Sequence, residues 1–144
     1  MEFSIRSAAQ EDFPSIYPLF GQLWPNKELN QDALRAVYSR GVSSQTDALF
    51  CAVLDGEIVG FCAYAIVNNL WQEGQIAYVY AMVLDERCRG KGYGTKLLQT
   101  AVDTARRQGM KRMELDSAFH REAAHRFYEK FGFEKRAYLF SYPL

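Results

Sequence analysis

The sequence predicts an α/β protein, in which a mixed sheet is covered by helices in the order β-α-α-β-β-β-α-β-α-β. Segments with alternating apolar residues indicate strands, and segments with apolar residues every three or four positions indicate helices. Asp55-Gly56, between two apolar runs, is a strong signal for a two-residue hairpin. At 144 residues, we expect residues 1–144 to form a single domain.

The first half of the chain predicts a strand and two helices. Residues 3–6 alternate as a short strand. Residues 11–24 predict a helix, with Pro14 in its first turn. Asn30 is the expected N-cap of a second helix that ends at Gly41.

The predicted hairpin joins a strand over residues 48–54 to a strand over residues 58–67. A two-residue turn would place Cys51 opposite Gly60 and leave Cys62 two residues out of register. A disulfide between the two cysteines is therefore not expected.

The second half predicts strands, helices and a strand-like end. Residues 75–84 are apolar enough for a strand covered on both faces. Residues 93–108 predict an amphipathic helix, residues 113–116 a strand, and residues 124–131 a short helix. Residues 133–142 alternate enough to predict one or two final strands.

Charge and cysteine content limit the partners and the compartment. Seventeen basic and seventeen acidic residues balance, so nothing global favours nucleic acid or an anionic membrane as a partner. No apolar stretch is long enough for a transmembrane helix, and the first residues do not resemble a signal peptide. Three cysteines without metal-ligand spacing favour a reduced, cytoplasmic protein that holds no metal.

A glycine-rich run from Arg89 to Gly94 lies between an apolar strand and a helix. Its glycines allow close backbone approach, and the N–H groups that begin the following helix can bind phosphate oxygens. Neither the Walker pattern nor the dinucleotide pattern fits the run. The alternative is an ordinary strand-to-helix connection with the basic side chains of Arg87, Lys91 and Lys96 in solvent.

Two motifs resemble the GNAT family of N-acetyltransferases. Arg89, Gly92 and Gly94 form R-x-x-G-x-G, which is similar to the acetyl-CoA pyrophosphate loop of that family. Residues 124–133 are similar to its A-x-x-F-Y-x-x-x-G-F signature. The resemblance implies a GNAT-like acyl-CoA N-acyltransferase fold with acetyl-CoA as co-substrate. Around residues 121–128 it is loosely nearest to aminoalkylphosphonate and aminoglycoside acetyltransferases.

The resemblance also implies which residues bind acetyl-CoA. Backbone N–H groups of the loop would bind the pyrophosphate, at Arg89, Gly90, Lys91, Gly92, Tyr93, Gly94 and Thr95. The backbone of the preceding strand would bind the pantetheine arm at Met82, Val83 and Leu84, although apolar residues there are equally compatible with a plain core.

Tyr128 is the catalytic residue that the resemblance implies, as the donor that assists departure of the thiolate. The alternative is an aromatic residue packed on the sheet. Many relatives place a glutamate base near Ala81, but this chain has no acid between Glu73 and Asp85. The remaining candidates for a base or a water chain are Tyr78, Tyr80, Glu73, Asp116, His120 and His125.

The acceptor site is expected between the first two helices and the loop after the third strand. The candidate residues are aromatic or acidic, which suits a cationic amine: Trp24, Glu28, Trp71, Glu73 and Tyr80. The alternative for the tryptophans is a core or dimer role.

The predicted function is transfer of an acetyl group from acetyl-CoA to a primary amine of a small molecule. The alternatives are a protein or peptide acetyltransferase, a non-catalytic acyl-CoA sensor, and a generic nucleotide-binding domain. By analogy with the family, edge strands near the C-terminus could pair two copies into a homodimer.

Overall fold

Five strands in the order β1-β2-β3-β4-β5 form the sheet of a computed structural model that describes residues 1–144. The elements run β1 Phe3–Ser7, α1 Phe13–Leu23, α2 Gln31–Ser43, β2 Asp47–Leu54, β3 Glu57–Asn69, β4 Gly74–Leu84, α3 Tyr93–Arg107, β5 Met113–Leu115 and α4 Glu122–Phe131. Short 3₁₀ turns lie at Gln10–Asp12 and Glu86–Cys88. The predicted α/β class with a mixed sheet is confirmed. No helix is both long and apolar enough to cross a membrane.

The chain forms two compact units, residues 1–114 and residues 115–144. In the first unit, β1 to β4 pair antiparallel in sequence order. Lys111 N donates to Gln75 O, and Ala77 N donates to Arg112 O. Since the residue numbers rise together on both segments, β5 starts parallel to β4. The expected single domain over 1–144 stays a prediction.

Each face of the sheet carries a core of its own. One face packs α1 and α2. The apolar side of α1 buries Phe13, Ile16, Phe20 and Leu23, as the helical spacing predicts, and it also buries Leu19. The other face packs α3, which buries Leu97, Leu98, Ala101 and Ala105. Asn30 caps α2 as expected, since its side chain accepts the N–H of Ala33 at 2.9 Å.

The expected register of the hairpin is wrong by one residue. A bulge between Ala52 and Val53 places Cys51 opposite Phe61, and Ala52 opposite Gly60. Cys51 and Cys62 therefore lie at neighbouring positions with side chains on opposite faces of the sheet. Both are free and buried, in agreement with the absence of a disulfide.

The second unit contains α4, which ends at Gly132 with φ of +128°. The strands expected over residues 133–142 are not present, and residues 134–144 are exposed. Alternation describes side chains only, whereas a strand also needs a partner for its backbone hydrogen bonds. The last residues have no such ladder in this chain.

Candidate functional site

The loop after β4 begins with a buried carboxylate. Asp85 accepts the backbone N–H of Arg87 at 3.0 Å and the guanidinium of the same residue at 2.7 Å. These hydrogen bonds hold the pKa of Asp85 at about 2, against the opposing effect of burial. Arg87 thus closes a tight turn over Glu86–Cys88.

Two further hydrogen bonds fix this loop to the elements on either side of it. The side-chain oxygen of Gln22, near the end of α1, accepts the N–H of Glu86 at 2.9 Å. Arg89 donates its Nε to the carbonyl of Leu84 at 3.3 Å. The turn is therefore held by α1 and by the last residue of β4 before it reaches the glycines.

The glycine-rich run leads into an uncapped helix. Gly90 and Gly92 have φ of +80° and +83°, which favours glycine at both positions. Gly92 is the N-cap of α3 and offers no side-chain acceptor; the first N–H bonded within the helix is that of Lys96, to Gly92 O at 3.1 Å. The N–H groups of residues 93–95 precede that bond, so they have no partner within the helix.

Space and charge around these N–H groups suit an anion. A β-carbon built on Gly90 or Gly92 would meet no heavy atom within 4 Å, so this side of the loop is open. The positive end of the α3 dipole lies here. Lys91 is exposed beside it, whereas Arg87 is engaged with Asp85, and Lys96 lies over the rings of Phe3 and Tyr93 at 5.6 and 5.9 Å.

The end of β4 is paired on one side. β3 pairs with the whole length of β4. On the other side of β4, the segment that leads into the three-residue strand β5 is hydrogen-bonded to Gln75 and Ala77, near the start of β4. Leu84 lies seven residues beyond Ala77, roughly 23 Å along the strand, and β5 spans only about 10 Å. The last residues of β4 therefore run on past the reach of β5.

Backbone alternation shows which groups face that outer edge. Asp85 N donates to Val59 O, so Asp85 points its backbone groups toward β3. Since backbone groups alternate along a strand, Val83 also points toward β3, and Met82 and Leu84 point outward. Of the three predicted residues, two thus present backbone groups at the outer edge, and the Val83 side chain is buried in the core.

Tyr80 is the extra residue of a bulge in β4. Ala81 pairs with Ala63 and Val79 with Tyr64, which leaves Tyr80 without a partner in β3. Its hydroxyl donates to Oδ2 of Asp47, the first residue of β2, at 2.6 Å. Partial burial and this hydrogen bond raise the Tyr80 pKa, so the phenol stays neutral.

Tyr128 lies in the last turn of α4, within the second unit. Its ring contacts those of Phe127 and Phe133, with centroids 5.4 and 5.7 Å apart. Its carbonyl accepts the N–H groups of Gly132 and Phe133. Nearby, Nε2 of His125 lies 2.9 Å from the carbonyl of Ala118.

The structure does not bring all the predicted acceptor residues together. Trp24 stacks on Phe20 at 5.6 Å; Phe20 contacts Phe61, which pairs with Val83 near the end of β4. Glu28 is exposed in the loop after α1.

Trp71 and Glu73 lie at the opposite end of β4, in the turn before Gly74. Ten residues separate Gly74 from Leu84, roughly 33 Å along the strand. Trp71 is 79% exposed, and Glu73 adopts φ of +56° in this turn. Of the five candidates, Tyr80 is the one that lies between the two ends.

Sequence reasoning missed Asp47 and the role of Gly41. Asp47 is 33 residues from Tyr80, and no motif links the two. Gly41 is expected at the end of α2, and it lies within the last turns of that helix. A β-carbon there would lie 3.0 Å from the Tyr80 hydroxyl, so its small size serves close packing.

Comparison with known proteins connects this arrangement to acetyl transfer. The model of the acetyltransferase (GNAT) family matches residues 5–133. The uncharacterized N-acetyltransferase YhdJ of Bacillus subtilis is 31% identical, over 94% of this chain and 94% of that protein. The aminoalkylphosphonate N-acetyltransferase of Salmonella typhimurium is 29% identical, over 97% of this chain and 90% of that protein.

A solved structure shows the same fold. The aminoglycoside N-acetyltransferase AAC(6')-Iy, crystallised in complex with CoA, superposes with a TM-score of 0.87. The match covers 99% of this chain and 95% of that one at 20% identity, so the likeness concerns the fold.

Proposed function

Since the chain belongs to the acetyltransferase (GNAT) family, and is thus an N-acetyltransferase that uses acetyl-CoA, we propose that it transfers the acetyl group directly to a primary amine of a small molecule. The observation that carries this proposal is the open N-terminus of α3 beside the outer edge of β4. A diphosphate and an extended, amide-bearing arm, the two parts of CoA, would each find suitable backbone groups there.

The loop and the end of β4 bind different parts of CoA. N–H groups of Tyr93, Gly94 and Thr95 bind the pyrophosphate, and the run from Arg89 to Gly92 brings its backbone close to it. The outward groups of Met82 and the N–H of Leu84 bind the amides of the pantetheine arm, since the Leu84 carbonyl already accepts from Arg89. Lys91 is the basic side chain best exposed for an outlying phosphate.

Transfer proceeds without an acetyl-enzyme. The amine nitrogen attacks the thioester carbonyl, and backbone N–H groups of β4 stabilise the oxyanion. The C–S bond then breaks, the nitrogen gives its proton to a base, and Tyr128 donates a proton to the departing thiolate and regains one from solvent. A neutral tyrosine suffices as donor, because a thiolate with a conjugate pKa of about 8.5 is a tolerable leaving group.

Two observations support a small aliphatic amine as the acceptor. The relative from Salmonella typhimurium, named as an aminoalkylphosphonate N-acetyltransferase, matches nearly the whole chain. In the first unit, Tyr80 and Asp47 place an aromatic ring and a carboxylate together, which suits a cationic amine. The acceptor groups we propose are Tyr80, with Asp47 hydrogen-bonded behind it, and Trp24.

We also propose that the protein forms a homodimer through its C-terminal segment. Five large apolar side chains are 69% or more exposed after α4: Tyr138, Leu139, Phe140, Tyr142 and Leu144. An exposed apolar cluster of this kind is typical of an association surface.

The test of the function combines binding and turnover. Acetyl-CoA and CoA at about 100 times their Kd should stabilise the protein by about 2.7 kcal/mol, a shift of a few degrees in Tm, while ATP and NAD should not. With acetyl-CoA present, a panel of aminoalkylphosphonates, polyamines, aminoglycosides and short peptides is then screened by mass spectrometry for N-acetylated product. Acetylation of peptides alone would contradict the small-molecule proposal.

A tyrosine variant tests the proposed donor. Tyr128→Phe should lower kcat at least tenfold with the affinity for acetyl-CoA retained. Tyr38→Phe is the matched control, because Tyr38 loses the same hydroxyl group in the core of the first unit, where it donates to the carbonyl of Ala9. Equal activities of the two variants would contradict the role of Tyr128.

A further inference from the structure

β4 carries no carboxylate between Glu73 and Asp85, yet the attacking amine must lose a proton. We propose that Tyr80, hydrogen-bonded to Asp47, takes this proton as the amine nitrogen attacks the acetyl group. The inference rests on the proposed function and supplies the proton acceptor that the strand itself lacks. Tyr80 is then a catalytic residue, and Asp47 acts through it as a positioning residue.

The bulge places Tyr80 for this role. Tyr80 lies four residues before Leu84, roughly 13 Å along the strand whose outer edge would bind the pantetheine arm. Because it has no partner in β3, its side chain departs from the alternation of Val79 and Ala81 and reaches over the sheet to α2 and β2. At 37% exposure, the ring remains accessible to an acceptor.

The hydroxyl of Tyr80 is fixed in orientation. A distance of 2.6 Å to Oδ2 of Asp47 is that of a hydrogen bond to an ionised acceptor. Gly41 makes room for this contact, since a β-carbon at that position would lie 3.0 Å from the hydroxyl oxygen. The phenolic proton therefore points to Asp47, and a lone pair of the oxygen is left to accept an N–H.

Tyr80 and Asp47 together accept one proton in each catalytic cycle. As the N–C bond forms, the amine proton moves to the Tyr80 oxygen, and the original phenolic proton moves to Oδ2 of Asp47. The C–S bond breaks, and the thiolate is protonated separately. Asp47 also lines a cavity of about 270 Å³ together with the polar side chains of Ser7, Thr104 and Gln108, through which its proton can return to solvent.

The surroundings of Tyr80 keep its hydroxyl protonated. The neutral phenol is maintained because partial burial and Asp47 both raise its pKa. The other titratable group that acts on Tyr80 is the thiol of Cys62 on β3. Its burial raises its own pKa to about 12, so it stays neutral and does not compete for the proton.

The experiment compares pH profiles of kcat/KM for an amine that the wild type acetylates. Tyr80→Phe and Asp47→Asn should each lower kcat/KM about a hundredfold near pH 7. Their deficit should shrink by up to tenfold for each unit that the pH rises, because hydroxide ion takes the proton of the attacking amine when the pair is missing. The double variant should be no worse than the single ones, since the two residues act as a unit.

Tyr38→Phe is the matched control. Tyr38 donates its hydroxyl to the carbonyl of Ala9 at 2.6 Å, so its loss removes an equally short hydrogen bond that involves neither Tyr80 nor Asp47. It should change kcat/KM less than twofold. The dissociation constant of acetyl-CoA should stay within twofold in all the variants.

The outcomes separate the inference from the proposed function. An active wild type with variants reduced by the same factor at every pH, or not reduced, would overturn the role of the pair and leave acetyl transfer intact. A wild type that binds acetyl-CoA but acetylates no amine would overturn both.

Discussion

At the scale of single residues, Asp85 stabilises the turn at the start of the loop after β4 through its hydrogen bonds with Arg87. Asp85→Asn should lower the free energy of unfolding by about 1–2 kcal/mol near neutral pH. This range is smaller than the pKa shift alone would give, because Arg87 is exposed and solvent screens its attraction to Asp85. The native pKa of Asp85 is about 2, below the value near 3.9 expected in the unfolded chain. The stabilisation is thus complete above about pH 4 and is lost as the pH falls toward 2.

The measurement for Asp85 is urea denaturation of both proteins between pH 2 and pH 7. The difference in unfolding free energy between wild type and variant should be largest above about pH 4, and it should shrink toward zero as the pH falls to 2. A constant difference across the range would mean that the charge of Asp85 does not stabilise the fold.

At the scale of elements, helix α3 allows a paired test of its two ends. Gly92 precedes the helix with φ of +83°, and Gly109 follows it with φ of +81°; a β-carbon added at either position would meet no heavy atom within 4 Å. Replacing either glycine by alanine should cost about 1–2 kcal/mol of stability through left-handed strain. Only Gly92→Ala should also weaken acetyl-CoA binding, by tenfold or more, because its methyl group enters the anion site. Isothermal titration calorimetry measures this difference, and equal affinities would contradict the proposed position of the pyrophosphate.

Elements whose signals are local could be predicted from the sequence. The cap at Asn30, the apolar face of α1, the Asp55-Gly56 turn and the glycine-rich loop all depend on residues close in the chain. The bulges at Ala52 and Tyr80 could not be predicted, because they depend on how two strands match in length and packing. For the same reason Asp47 escaped notice: its contact with Tyr80 exists only after β2, β3 and β4 have paired.

At the scale of the whole molecule, the exposed C-terminal side chains predict self-association. Light scattering after gel filtration should give twice the mass of the 16.5 kDa chain. Phe140→Glu should convert the protein to a monomer, since Phe140 is 91% exposed and belongs to the proposed surface. Val37→Glu, at a half-exposed position on α2, serves as the control and should leave the mass unchanged. A monomeric wild type would contradict the homodimer.

The buried cysteines have a practical consequence for following turnover. Cys51, Cys62 and Cys88 are all free and buried, and burial raises the pKa of the first two thiols to about 12. A thiol-reactive dye therefore meets little competition from the folded enzyme. Each acetyl transfer releases one CoA molecule with a solvent-accessible thiol. Because the protein thiols contribute little background signal, the absorbance of the reacted dye measures the number of turnovers directly.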